Sequence, residues 1–231
     1  IFSENRYEWW IADLAILSIG AIDIPIYATN SSDEAQFILA DSDSVICFVS
    51  TADHLDRVMK AWKKTPKLKE VIVFNAVDIK KKEVVPMEKA LATGAKYNKK
   101  GDFDKRLTAI KPDDVATFIY PPGTTGNPKG VMLTHNNFLS NVKQCLDDFK
   151  DIMSDTDSLL SFLPLSHSLE RTVGYYVAIY RGCRVAFVVD VSKTLQQNMV
   201  EIRPELMISV PRIYEKLHAG ILSKVMDAPP L

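Results

Sequence analysis

Two periods of hydrophobic spacing take turns along this chain, and they predict a succession of helices and strands. Residues 7–19 are apolar nearly all round at helical spacing and stop at Gly20. Residues 22–27 form a short apolar run that reads as a strand. Ser31, Ser32 or Asp33 can cap the next helix, which carries Phe37, Ile38 and Leu39. Residues 45–49 are continuously apolar, with β-branched and aromatic members, as in a buried strand. Leu55, Val58, Met59 and Trp62 then recur at helical spacing, and residues 71–74 read as the next strand.

Residues 95–114 break this rhythm. They are rich in lysine, aspartate and glycine, and read as a long surface connection with a subdomain boundary. The alternation then resumes. Residues 115–119 read as a strand and 131–133 as a short extended piece. A helix over 135–149 places Phe138, Val142, Cys145, Leu146 and Phe149 on one face. Strands are expected at 159–163, 184–189 and 206–210, and a helix at 169–180. Leu195, Met199 and Ile202 mark another helix, capped by Ser192. Pro211 suits the first turn of a last helix carrying Ile213, Leu217 and Ile221. Strands alternating with helices argue for parallel pairing through right-handed crossovers, hence an α/β fold with mainly parallel sheets.

Composition narrows the picture. With 231 residues and 47% hydrophobic content the chain can bury a large core. A formal net charge of -1 gives no reason to expect nucleic acid as a partner. Lys80 to Lys82 and the pair Lys99 and Lys100 read as solvated loops. The three cysteines, Cys47, Cys145 and Cys183, are widely spaced within apolar segments. They suit reduced buried thiols in a cytoplasmic protein better than disulfides or a zinc site. The apolar stretch 11–27 is interrupted by Asp13, Asp23 and Pro25, which leaves no run long enough to cross a bilayer. The chain begins at Ile1 and both ends run close to helical patterns, so a piece of a longer protein is expected.

Candidate chemistry concentrates in residues 120–131, YPPGTTGNPKGV. Glycines let a backbone turn tightly and approach a ligand. Threonine hydroxyls and exposed N–H groups donate to phosphate oxygens, and lysine adds positive charge. The segment is not a Walker A loop, because Lys129 is followed by Gly130 and the glycine spacing differs. The plain alternative is a glycine-rich hairpin between two strands, for which Gly126, Asn127 and Pro128 are ordinary turn residues.

With that segment set between strand and helix, four blocks together resemble the adenylate-forming (AMP-binding) superfamily, and within it the long-chain fatty-acid–CoA ligases. They are GAIDIPIYATNS from residue 20, YPPGTTGNPKGVMLTHNN from 120, FLPLSHSLER from 162 and VPRIYEK from 210. The resemblance implies part of the large N-terminal domain of an acyl-CoA synthetase-like fold, with a separate C-terminal lid domain that this chain lacks. It implies two steps: a fatty carboxylate attacks the α-phosphate of ATP to give acyl-AMP and pyrophosphate, and coenzyme A then displaces AMP. Gly123, Thr124, Thr125, Gly126 and Lys129 are then the binders of the β- and γ-phosphates, with Mg²⁺ sharing the charge. His167 is placed beside the reacting carboxylate as a hydrogen-bond donor; the plain alternative is a helix N-terminal histidine satisfied by backbone. Tyr214 stands where an aromatic gates the acyl channel, or else is a packing tyrosine. Glu170 and Arg171 are explained equally well by an ion pair at a helix start. Sister activities on shorter acids, acyl-AMP transfer to a carrier, or a non-catalytic acyl-binding relative are the alternatives. A fatty substrate also raises peripheral membrane association, although no amphipathic anchor is visible.

Two departures matter. Pro121 and Pro122 stand where the family usually has Thr-Ser, which removes hydroxyl and N–H donors and fixes φ. Poor ATP binding is expected. The family's later segments, among them an acidic Mg²⁺ ligand and the lid lysine, have no counterpart in residues 1–231, so this piece alone is expected not to run the full reaction.

Overall fold

The computed structural model describes residues 1–75, 77–78, 81–97, 101–121 and 128–226. Helix α1 (Tyr7–Ser18) ends where Gly20 takes φ 74°, a left-handed turn that L side chains resist. Helix α2 (Ser32–Asp41) opens on a capping box. The Glu34 amide donates to the Ser31 hydroxyl at 3.3 Å, and the Ser31 amide donates to the Glu34 carboxylate at 2.7 Å. Strand β1 (Ile46–Val49) leads through α3 (Ala52–Ala61) into β2 (Glu70–Val73), and β3 (Val84–Pro86) follows. The three strands form one parallel sheet, with Ile46 opposite Glu70 and Val71 opposite Val84.

The sheet continues past β1 only as single-residue bridges, Phe2 pairing in parallel with Val49 and with Ile26. The strand expected over residues 22–27 is therefore not a full ladder. Pro25 in its middle has no amide to donate, which accounts for the interruption. Phe2, Ile26, Val49, Val58 and Val71 are wholly buried around this sheet, and Tyr120 joins the same core from the second half of the chain.

Helices α4 (Met87–Lys96) and α5 (Asp102–Ala109) come next. The stretch expected to be only a surface connection thus holds a helix, none of whose residues is buried. Its charge content hides it from periodicity, yet Asp102 and Asp104 in the first turn suit the helix dipole. Strands β4 (Val115–Ile119) and β5 (Val131–Thr134) pair antiparallel, Ile119 opposite Val131. The glycine segment is therefore the connection of a hairpin, the one antiparallel pair beside the two parallel sheets among the described residues.

Helix α6 (His135–Asp148) starts on a second capping box, formed by Thr134 and Asn137. Strands β6 (Ser158–Ser161) and β7 (Arg184–Phe187) pair in parallel. Their crossover is a π-helix, Glu170–Val177, running into α7 (Ala178–Arg181) and closing at Gly182 with φ 78°. Helix α8 (Val191–Ile202) is capped by Asp190 rather than by Ser192. The Asp190 carboxylate accepts from the Ser192 and Lys193 amides at 3.1 and 3.2 Å, and a carboxylate two residues before Ser192, at the N-cap itself, is the better-placed acceptor. The strand expected over 206–210 reduces to one bridge, Leu206 with Leu159. Helix α9 (Pro211–Met226) begins at its proline as expected.

Candidate active site

The hairpin presents its connection at one end of β4 and β5. Gly123, Thr124, Thr125 and Gly126 lie outside the described residues. Lys129 is on the returning limb and exposed. Next to it, Gly130 faces the ring of Tyr120, so closely that a Cβ there would stand 3.0 Å from the ring carbon bearing the hydroxyl. Tyr120 is buried, and its hydroxyl donates to Asp41 Oδ2 at 2.7 Å. Burial, and then the Asp41 carboxylate, push the phenol's pKa far up, so it stays a donor. The base of the hairpin connection is thereby pinned to the end of α2.

His167 sits in the turn between β6 and the π-helix. Its ring is exposed, and Nδ1 accepts from the Leu169 amide at 3.1 Å. The backbone-satisfied histidine anticipated as the plain alternative is thus present in this bond. The same bond leaves the proton of the neutral ring on Nε2, which has no partner among the described residues. The ring can therefore present one N–H to a ligand oxygen. Tyr214 lies on α9 and is 54% exposed.

A buried polar frame ties the His167 turn to strand β4. Arg171 is wholly buried. It donates from Nη1 to Thr117 Oγ1 on β4 at 2.8 Å, from Nε to the Tyr176 hydroxyl at 3.0 Å, and from Nη2 to Asp13 on α1. Asp23 Oδ2 lies 2.9 Å from Nη2 but off the hydrogen-bond direction, so that carboxylate acts through charge. The guanidinium also lies 5.4 Å from the Trp9 ring centre and 5.3 Å from that of Phe138. Burial would lower its pKa, yet Asp13, Tyr176 and Asp23 together hold it raised. Asp13 is pushed up to about 6, first by burial and further by Asp23, with Arg171 opposing. The ion pair anticipated for Arg171 at a helix start is real, but its partners come from α1 and the segment before α2.

Glu170 is buried separately. Its Oε1 accepts from the Ser161 hydroxyl at 2.6 Å, which in turn accepts from Asn5 Nδ2 at 3.0 Å, while Oε2 has no partner among the described residues. Burial pushes this carboxyl up to about 7. Its carboxylate folds over Gly174, where a Cβ would come within 2.6 Å of Oε1. The sequence motifs point to none of Asp13, Asp23, Thr117 and Tyr176 as site residues. The available signal was that Asp13 and Asp23 interrupt an otherwise apolar stretch, which marks buried charges that need a cation.

The sequence model of the AMP-binding enzyme family matches residues 1–230. This chain belongs to that family. A long-chain-fatty-acid–CoA ligase of Mycobacterium tuberculosis is 34% identical over 223 residues, covering 94% of this chain and 35% of the relative. Peroxisomal long chain acyl-CoA synthetase 6 of Arabidopsis thaliana is 33% identical, covering 97% of this chain and 32% of the relative. The chain thus spans about a third of the length of the curated relatives it matches. A solved long-chain-fatty-acid-CoA ligase from Archaeoglobus fulgidus superposes with a TM-score of 0.73 at 21% identity, covering 96% of this chain and 41% of that one. The α/β architecture with parallel sheets is therefore that of the AMP-binding fold. No helix among the described residues is long and apolar enough to cross a membrane.

Proposed function

We propose that this chain carries the phosphate-gripping part of an ATP-dependent long-chain fatty-acid–CoA ligase. The observation that carries the reading is the position of the YPPGTTGNPKGV segment. It connects β4 to β5, and β4 is bonded through Thr117 and Arg171 to the element that starts just after His167. The names of the relatives, joined to family membership, support the acid and the thiol.

In this reading a fatty carboxylate attacks the α-phosphorus of ATP, the bond to the bridging oxygen breaks, and pyrophosphate leaves. The attack brings an anion onto a polyanion, so the site must supply positive charge and directed donors. Lys129 supplies charge. Gly123, Thr124, Thr125 and Gly126 supply N–H and hydroxyl donors to the β- and γ-phosphates. His167 donates from Nε2 to an oxygen of the reacting carboxylate, and Tyr214 borders the acyl channel. Coenzyme A thiolate then attacks the acyl carbon and AMP departs. Among the described residues no group of three or more His, Cys, Asp or Glu side chains is placed to hold a metal ion.

Residues 1–231 match about a third of the relatives' length, and we infer that the complete reaction needs the longer polypeptide. Pro121 and Pro122 lower the donor count of the loop, each charged hydrogen bond lost costing roughly 1.5–3 kcal/mol. The test is palmitate-dependent ATP–pyrophosphate exchange in a polypeptide completed to the relatives' length, as it stands and as Pro121→Thr with Pro122→Ser. Exchange that rises at least tenfold on restoring the pair supports the phosphate role, and equal rates refute it. Acetate in place of palmitate separates the long-chain reading from a shorter-acid one.

A further inference from the structure

The exposed groups assigned to the site come from distant parts of the sequence, and one buried side chain joins the turn that carries His167 to strand β4, from which the segment holding Lys129 departs. Arg171 reaches β4 through Thr117 Oγ1 at 2.8 Å, two residues before the end of that strand at Ile119. Thr117 Oγ1 in turn donates to the Asp23 carbonyl at 2.7 Å, which fixes the hydroxyl as an acceptor toward the guanidinium. On the other side, the Arg171 amide donates to the His167 carbonyl at 3.1 Å, so the same residue closes the turn that carries the imidazole. Tyr176, one helical turn on, takes Nε and donates its own hydroxyl to Asp13 Oδ2 at 2.8 Å. The guanidinium is planar and its donors diverge in a fixed fork, so gripping several elements at once fixes their relative position.

Resting on the adenylation reading above, we propose that Arg171 is a positioning residue that holds the His167 turn and strand β4 in one register, so that His167 and Lys129 address the same substrate. It touches no substrate itself, being wholly buried. Its contribution is to prevent the two halves of the site from moving independently. A lysine at 171 would not suffice, because a single ammonium cannot span Thr117, Tyr176 and two aspartates with the same geometry.

The test uses the 231-residue chain without ligand, with Thr117→Val as the perturbation. Valine keeps the shape of threonine and removes the acceptor for Nη1. Amide hydrogen exchange and the histidine ring resonances are followed by NMR, with Ile119 reporting on β4, Leu169 and the His167 ring on the turn, and Val58 in α3 as a remote control. Exchange is expected to rise at least tenfold at both Ile119 and Leu169, with a shifted His167 ring signal and no change at Val58. Thr117→Ser is expected to restore all three reporters. Faster exchange at Ile119 with Leu169 and the His167 ring unmoved would overturn the proposal. A uniform rise that includes Val58 would also overturn it, since that is loss of global stability alone.

If Thr117→Val does not fold, Tyr176→Phe loosens the same guanidinium from the helix side. It is expected to move the same reporters, and silence at Ile119 there would again refute the tie. Titration with MgATP forms a separate arm. An intact tie in a completed polypeptide that binds no ATP would sink the adenylation reading and leave the positioning role standing.

Discussion

Replacing Glu170 with glutamine should abolish the pH dependence that this carboxyl imposes on stability. The group is 1% exposed, holds one hydrogen bond from Ser161, and leaves Oε2 unpartnered among the described residues. Burial pushes it from 4.5 up to about 7. A carboxyl raised on folding keeps its proton in the native state where the unfolded chain has released it. Its contribution to stability is therefore full below pH 4.5, falls as pH rises, and is lost above about 7. The span corresponds to about 3 kcal/mol at 1.36 kcal/mol per unit. Glutamine keeps the volume over Gly174 and cannot ionise. Urea unfolding at pH 5 and pH 8 gives the measurement, read as the change between the two pH values in each protein. Asp13, also raised, contributes equally to both and cancels. Wild type should lose about 2–3 kcal/mol more than Glu170→Gln on going from pH 5 to pH 8. Parallel curves for the two proteins would refute the assignment of a protonated buried acid.

Other consequences follow from the same geometry. Gly174→Ala places a Cβ 2.6 Å from Glu170 Oε1 and should cost about 1–3 kcal/mol by urea unfolding. Tyr120→Phe removes the 2.7 Å bond to Asp41, an exposed acceptor that water can serve, so a loss of only about 0.5–1.5 kcal/mol is expected in the same assay. Cys47 is buried with its thiol pushed up to about 11, whereas Cys145 and Cys183 are only partly buried. Brief iodoacetamide treatment of the native protein should therefore label Cys145 or Cys183 well before Cys47, as read by peptide mass spectrometry.

Much of the fold was legible in local pattern. The helix ended by Gly20, the cap at Ser31, the run ending at Val49 and the proline start of α9 all carry their signals within a few residues. Elements that fail to show are those whose cause is distant or hidden. Strand β3 is three residues long and ends in Pro86, too short for any period. Helix α5 buries nothing, so no apolar stripe marks it. The helix expected over 169–180 is real but widens to a π-helix beside Glu170 and Gly174, a contact that hydrophobic spacing cannot encode. The cysteines were expected to be uniformly buried, and only Cys47 is. The candidate site divides the same way. Motifs located Lys129, His167 and Tyr214 because each lies in a recognisable block. The frame of Asp13, Asp23, Thr117 and Arg171 spans 158 residues of sequence, and only the fold brings its members together.

The decisive property of the molecule is the proposed grip of residues 120–131 on a triphosphate for carboxylate activation. Palmitate-dependent ATP–pyrophosphate exchange should be compared in the polypeptide completed to its relatives' length and in its Lys129→Ala and His167→Ala variants. Exchange is expected to need palmitate and to fall at least a hundredfold in either variant. Exchange that is absent in the completed polypeptide even with the Thr-Ser pair restored, or that survives both substitutions unchanged, would contradict the proposed grip.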